Sequence, residues 1–363
     1  MLFEPLMQRG VTARNRVMVS PMCQYSCNAR DGLATPWHLV HLGQRAVGGA
    51  GIVSTEATAI SPEGRISPQD LGIWSEAHRD ALAPIVAFIK EQGAVPMIQL
   101  GHAGRKASTG RPWEGGGFVE PRDGGWEPLA PSAIPFDPTW PPPRAMTSAD
   151  IEKVVADFAN ATRLADAAGF EMLELHAAHG YLIHEFLTPL ANRRTDEYGG
   201  SFENRTRLAL RVARAVRQAW PERKPLWVRL SCTDWVEGGW DLEQSVELAR
   251  LLHKEGVDTI DCSSGGADLR QKIPLAPGYQ VPFSARIRRE AKIATAAVGL
   301  IEAPEQAEAI LVNGEADVIV MARAHLRDPY WTLHAAQTLG VDVPWPPQYL
   351  RAKPAVTEKV GVR

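Results

Sequence analysis

Eight short apolar or β-branched runs recur along the chain, each followed by a longer stretch of helical pattern: RVMVSP, GIVSTEA, VPMIQL, FEMLELH, PLWVRLS, VDTIDCS, ATAAVGL and ADVIVMA. The intervening segments, such as WSEAHRDALAPIVAFIKEQG and SADIEKVVADFANATRLADAAG, place apolar residues at helical spacing. In the second of these Ser148 precedes Asp150 and Glu152 as the expected start, and Gly169 marks the stop. Strand followed by helix, eight times over, predicts a (β/α)8 barrel of the TIM type, because a doubly wound open sheet would usually end at five or six strands. No linker divides the chain, so residues 1–363 are expected to form one domain. Two connections exceed a simple loop. The stretch Gly110 to Met146 after strand three is dense in Pro, Gly and Trp, and is either an excursion over the barrel mouth or a surface decoration. The second follows strand four, from Gly180 to Gly200, and contains a short helical turn.

Composition excludes several functions. With 39 Lys and Arg against 42 Asp and Glu, and no basic stripe interleaved with aromatics, nucleic acid is not an expected partner. No run of about 18 apolar residues suggests a membrane span, and MLFEPLMQRGVTARNR lacks the apolar core of a signal peptide, which points to the cytoplasm. Cys23, Cys27, Cys232 and Cys262 are too few and too scattered for a disulfide framework or an iron–sulfur cluster.

In barrels of this kind chemistry sits at the carboxyl ends of the strands. There the sequence places Pro21, Met22 and Cys23 after strand one, Glu56 and Ala57 on strand two, Gln99 on strand three, and His176 at the end of strand four. Arg229 lies on strand five, Ser263 and Ser264 end strand six, and Gly299 and Arg323 follow strands seven and eight. Alternation in LWVRLS puts Trp227, Arg229 and Ser231 on the face away from the helices. An interior arginine must find an anion, either Glu174 or Glu56 in a structural pair or a bound anionic cofactor. Donors, acceptors and bare glycine backbone on successive strands suit a large planar heterocycle with a phosphate tail, and barrels often hold that phosphate after strands seven and eight. No G-x-G-x-x-G follows a strand, so a Rossmann-style site is not expected. His176 and His179 admit three readings: ligands of a metal-assisted lyase or hydrolase, structural histidines, or paired N–H donors converging on one carbonyl oxygen, with Tyr181 as a nearby proton donor.

The stretches SPMCQY, EATA, IQLGHAGRKA, ELHAAHGYLIHEFLTPLANRRTDEYGGSFENR and MARAHLRDP resemble the Old Yellow Enzyme family, specifically its thermophilic-like branch of xenobiotic and ene-reductases, along nearly the whole chain. The resemblance implies FMN bound non-covalently, NADPH as hydride donor, and activated alkenes (enones, nitroalkenes, maleimides) as substrates in ping-pong turnover. It places Ser20, Pro21, Met22, Cys23, Ala57, Gln99, Arg229, Gly299, Ala322 and Arg323 around FMN, Arg323 at its phosphate. Tyr25 would line the substrate pocket, His176 and His179 would hold the substrate oxygen, and Tyr181, at its ordinary pKa near 10, would protonate the α-carbon. Many relatives carry Gly where Ala322 stands. QYLRA resembles a segment whose arginine reaches a neighbouring subunit's site, so Arg351 is either such a residue, in a homodimer or dimer of dimers, or a surface residue. A flavin carrier or sensor is the non-enzymatic reading.

Overall fold

In the computed structural model, which describes residues 1–354, eight parallel strands close into a barrel. They are β1 (Val17–Val19), β2 (Ile52–Ala59), β3 (Val95–Gly101), β4 (Met172–Ala177), β5 (Leu226–Ser231), β6 (Thr259–Ser263), β7 (Ala294–Ala297) and β8 (Val318–Met321). The helices that follow them are α1 (Pro36–Val47), α2 (Glu76–Glu91), α3 (Ser148–Ala168), α4 (Phe202–Ala219), α5 (Leu242–Lys254), α6 (Val281–Ala291), α7 (Pro304–Val312) and α8 (Trp331–Leu339). Each of the eight apolar runs contributes a strand, and β8 pairs with β1 to close the cylinder. Among the described residues no helix is long and apolar enough to cross a membrane, and all four cysteines are free.

One helix start differs from expectation. Ser148 is the first helical residue of α3, and Thr147 is the cap: its hydroxyl accepts from the Asp150 N–H at 3.2 Å while the Asp150 carboxylate accepts from the Thr147 N–H at 2.8 Å. The reciprocal pair satisfies two N-terminal donors, which Ser148 one position later could not do with Asp150. Gly169 ends the helix with φ +94°, as its position suggested.

The amino end of the barrel is sealed by the chain's own start. A hairpin of Leu6–Gln8 and Val11–Ala13 lies beneath the strands. Its Gln8 amide accepts from Trp227 Nε1 at 2.8 Å and donates to Thr259 Oγ1 at 2.7 Å, tying it to β5 and β6. Trp227, fully buried, shares this lower core with Met18, Met97, Met172 and Val320. Every functional group on the interior face must therefore lie above that apolar floor.

At the other end, the 110–146 stretch leans over the mouth. Arg111 Nε donates to the Tyr25 carbonyl at 2.9 Å, Trp126 Nε1 to the Glu63 carbonyl at 2.9 Å, and Trp113 meets the Tyr25 ring edge-on with centroids 5.6 Å apart. Of the two readings of this stretch, the contacts favour the excursion over the mouth. The loop after β4 holds a short helix, Leu182–Leu187. Truncating the floor with Trp227→Ala should cost about 3–5 kcal/mol; chemical denaturation should show the midpoint falling, and an unchanged midpoint would show that the hairpin and floor do not support the barrel.

Candidate active site

Immediately above the floor, the interior carries an ionic cluster. The β5–β6 register sets Arg229 beside Asp261, and the guanidinium donates to Asp261 Oδ2 from Nε at 2.7 Å and from Nη2 at 2.5 Å. Nη2 also donates to the Ser20 hydroxyl at 3.1 Å, reaching across to the end of β1. Glu174 stands 3.6 Å from Arg229 Nε and accepts from Gln99 Nε2 at 2.7 Å. The expected ion partner was Glu174 or Glu56. The principal one is Asp261, because lateral register in a parallel sheet, which periodicity does not reveal, brings the neighbouring strand's interior residue alongside. Glu56 is engaged elsewhere: it accepts from the Gln24 N–H at 3.0 Å and lies 3.1 Å from His38 Nε2. Burial pushes the Glu174 carboxyl up to about 8 against the pull of Arg229, with Asp261 adding to the rise. One full anion thus faces one full cation.

A cavity of about 240 Å³ opens above this cluster, lined by Ser20, Pro21, His179, Arg229, Ser263, Gly299, Ala322 and Arg323 among others. It runs from the buried Arg229 outward to the exposed Arg323, first residue of a short helix, Arg323–Arg327. A side chain at Gly299 would be strained at φ +130° and would meet Gln280 Nε2 at 3.0 Å, so backbone alone can border the cavity there. A guanidinium at the inner end and a second at the rim fit a polar heterocycle with an anionic tail. FMN is such a group.

The histidines and the phenol come from one strained turn. His176 is the interior-facing penultimate residue of β4, and the chain then reverses through His179 at φ +60°. A non-glycine residue in this region costs about 1–3 kcal/mol. The turn is held from three sides. Its His179 N–H donates to Ser231 Oγ at 2.8 Å, its His179 carbonyl accepts from Lys106 Nζ at 2.8 Å, and its Gly180 N–H donates to His184 Nδ1 at 2.8 Å. His184 Nε2 in turn faces Asp234 at 2.9 Å. Gly180 itself tolerates no side chain, since a Cβ would lie 2.1 Å from the Gly266 carbonyl oxygen.

The result is a perpendicular cluster: His176 against His179 with centroids 5.1 Å apart, and His176 against Tyr181 at 4.9 Å. Burial pushes both imidazoles well below their ordinary value, helped for His176 by its neighbour His179 and for both by Arg229 and Lys106, so both rings are neutral at pH 7. The Ala178 N–H donates to His176 Nδ1 at 3.3 Å, which leaves His176 its N–H at Nε2. His179 Nε2 lies 2.7 Å from Ser263 Oγ. Tyr181 is not at its ordinary value: burial, with Cys23, Tyr25 and Asp70 nearby, pushes the phenol well above 10, because an apolar wall disfavours phenolate.

Of the remaining residues singled out in the sequence, Ala57 lines a small void with His176 and Tyr181, and Gln99 lies in the ionic cluster. Met22, Cys23 and Tyr25 sit half-buried on the loop after β1. Arg351 is not brought to this mouth; it is exposed on a turn of 3-10 helix, Pro347–Ala352. Among the described residues no three His, Cys, Asp or Glu side chains are grouped to hold a metal, so the ligand reading of the histidine pair has no third ligand.

The sequence profile of the NADH:flavin oxidoreductase / NADH oxidase family matches residues 1–341. The chain belongs to the Old Yellow Enzyme family. It is an FMN-dependent oxidoreductase of the NADPH dehydrogenase type. The NADPH dehydrogenase of Geobacillus sp. (strain WCH70) is 49% identical over 351 residues, covering 97% of this chain and 98% of its own. That of Bacillus subtilis (strain 168) is 45% identical over 350 residues, covering 96% and 98%. Among solved structures, morphinone reductase in complex with tetrahydroNAD superposes with a TM-score of 0.77 at 28% identity, covering 96% of this chain and 93% of its own. The Old Yellow Enzyme homologue from Zymomonas mobilis gives 0.76 at 28%, covering 98% and 99%.

Sequence reasoning missed several residues that build this Old Yellow Enzyme site. Asp261 could have been found, since TIDCS alternates Thr259, Asp261 and Ser263 on one face of the strand next to LWVRLS. Lys106 lay inside GHAGRKA with no spacing to mark its role, and Asp234 carried no signal.

Glu185, on the short helix behind the turn, accepts from the Arg105 N–H at 2.8 Å, and burial pushes its carboxyl up to about 8. It stays protonated in the folded chain while the unfolded chain ionises it above about 4.5. Its stabilising contribution is thus whole below the unfolded value and is lost as pH rises toward 8. Glu185→Gln should flatten the decline of the melting temperature across that window; an unaltered slope would contradict the assignment.

Proposed function

We propose that this Old Yellow Enzyme is an ene-reductase, taking hydride from NADPH and reducing the C=C bond of enones, maleimides and nitroalkenes in ping-pong turnover. The observation that carries the reading is the pair of neutral imidazoles, perpendicular and 5.1 Å apart, beside Tyr181, with His179 lining the cavity that fits FMN. When bound, FMN would supply the hydride-transfer chemistry that links NADPH to the alkene.

The protein's own part is electrostatic. His176 donates from Nε2, and His179 donates from Nδ1 when the Ser263 hydroxyl donates into its Nε2. Both bonds strengthen as the substrate oxygen gains enolate charge, so they favour the transition state over the bound substrate. Tyr181 delivers the proton to the α-carbon. Burial weakens its acidity and so keeps the proton in place until a carbon base appears.

Arg229, fixed by Asp261 and Ser20, would place positive charge against the bound flavin, while Gln99 and the residues from Ser20 to Cys23, together with Ala57, border it. Cys23, whose thiol burial pushes up, stays protonated and would tune flavin potential and substrate fit, next to Tyr25 in the substrate pocket. Gly299, Ala322 and Arg323 would hold the phosphate. Arg351 would complete a neighbour's site in a homodimer or dimer of dimers. Trp37 and Val40 on α1 and Tyr349 and Leu350 beside Arg351, all exposed, supply apolar surface for such an interface. The enzyme would work in the cytoplasm, a compartment in which its four free thiols would stay reduced.

His176→Ala should retain flavin and slow the alkene half-reaction about 10²-fold. Loss of flavin from the variant would mean that the ring holds cofactor and not substrate. Tyr181→Phe should slow alkene reduction by about 10²-fold while sparing flavin reduction by NADPH, as stopped-flow absorbance would read; equal slowing of both halves would remove Tyr181 from its role.

A further inference from the structure

Beside Tyr181 lies a second, smaller void of about 10 Å³, lined by Ala57, Arg65, Asp70, His102, His176 and Tyr181 among others. Such a volume admits one water molecule. Two buried polar atoms of its lining residues, Asp70 Oδ1 and His102 Nε2, have no hydrogen-bond partner in the protein. Asp70 is 1% exposed, and its other oxygen already accepts from the N–H groups of Ile66 at 2.8 Å and Ser67 at 3.1 Å. His102 Nδ1 accepts from the Gly104 N–H at 3.0 Å, so the neutral ring carries its proton on the unpartnered Nε2. An orphaned buried polar atom costs about 1–3 kcal/mol. Two of them on a water-sized void, next to a phenol assigned to proton transfer, ask for a function.

We propose that Asp70 and His102 form a one-water proton relay that resupplies Tyr181 during alkene reduction. The inference rests on the reading of Tyr181 as the acid. As the phenol O–H bond breaks and its proton forms the new Cα–H bond, the water gives a proton to the phenol oxygen and takes one from the Asp70 carboxyl. Asp70 regains its proton from solvent. One solvent proton reaches carbon and nothing in the relay is oxidised or reduced. His102 Nε2–H donates to the water oxygen and holds it in line. The transfers run together because burial makes a free phenolate at Tyr181 costly.

The surroundings suit the part. Burial and the neighbouring Glu56 push the Asp70 carboxyl up to about 8, so it carries its proton at neutral pH. The groups around it are Glu56 on β2, Arg65 on the adjoining loop, and Cys23, Tyr25, Cys27 and Tyr181 across the mouth. Of these only Arg65 pulls the carboxyl down.

The test uses flavin-loaded enzyme, reduced by NADPH and mixed with cyclohexenone. Asp70→Asn preserves an acceptor for Ile66 and Ser67 but cannot release a proton. It should slow the alkene half-reaction about tenfold, leave flavin reduction by NADPH unchanged, abolish the wild type's fall in rate above about pH 8, and add no slowing to Tyr181→Phe. If Asp70→Asn matches wild type while Tyr181→Phe is slow, the relay is overturned and Tyr181 stands. If Tyr181→Phe is itself as fast as wild type, both fall. Equal slowing of both half-reactions, or multiplicative effects in the double variant, would reduce Asp70 to a structural role and overturn the proposal. On the wild-type enzyme, the alkene half-reaction plotted against the deuterium fraction of the solvent should bow, as three protons moving together require. A straight line would sink the relay without recourse to any variant.

Discussion

A single guanidinium in the middle of a closed barrel organises this protein. Arg229 cannot shed its proton, so the interior must supply charge and acceptors at its level. It does so through Asp261 on one neighbouring strand, Glu174 on the other, and Ser20 across the cylinder. With two carboxyls and one cation confined together, Glu174 takes up a proton and leaves one balanced pair. Below this level lies the largely apolar floor around Trp227, Met18, Met97 and Met172; above it lies the cavity that FMN fits. The cluster is thus a boundary between packing and chemistry, and breaking it from one side would strand a buried charge at a cost of about 3–5 kcal/mol.

The second constraint is the turn after β4. A histidine held at positive φ is unfavourable by itself, and its three anchors are Ser231 at the end of β5, Lys106 after β3, and His184 on the short helix that follows the turn, backed by Asp234. These convert a locally unstable conformation into a rigid one and bring the His179 imidazole and the Tyr181 phenol each within about 5 Å of His176. Neutral imidazoles and a reluctant phenol follow from the same burial. Rigidity and protonation state therefore share one cause.

Much of the fold could be read directly from the order of residues. The alternation of apolar runs with helical segments gave all eight strands, and period-two alternation put Trp227 and Arg229 inside. What alternation lacks is lateral register, so Asp261 went unnamed although its strand was identified. The cap of α3 slipped by one residue because Thr147 and Ser148 are both competent caps, and only the reciprocal bond with Asp150 decides between them. The candidate site was legible chiefly through motifs resembling a known family. The groups that set its electrostatics, Lys106, Asp234, Asp70 and His102, meet it only through long-range folding, and no local spacing announces them. The acidity of Tyr181 was misjudged for the same reason: burial belongs to the folded chain, and a peptide value near 10 takes no account of it.

We propose that Arg229, braced by Asp261, sets positive charge against the bound flavin and so favours its reduction. The most direct measurement is the midpoint potential of bound FMN in Arg229→Gln against wild type, taken at neutral pH with flavin content verified. The account requires a lower potential in the variant, because a negative charge arriving on the ring would lose its fixed counter-ion. Equal potentials would show that the guanidinium is a structural cation alone, and the electrostatic reading of the barrel interior would have to be given up.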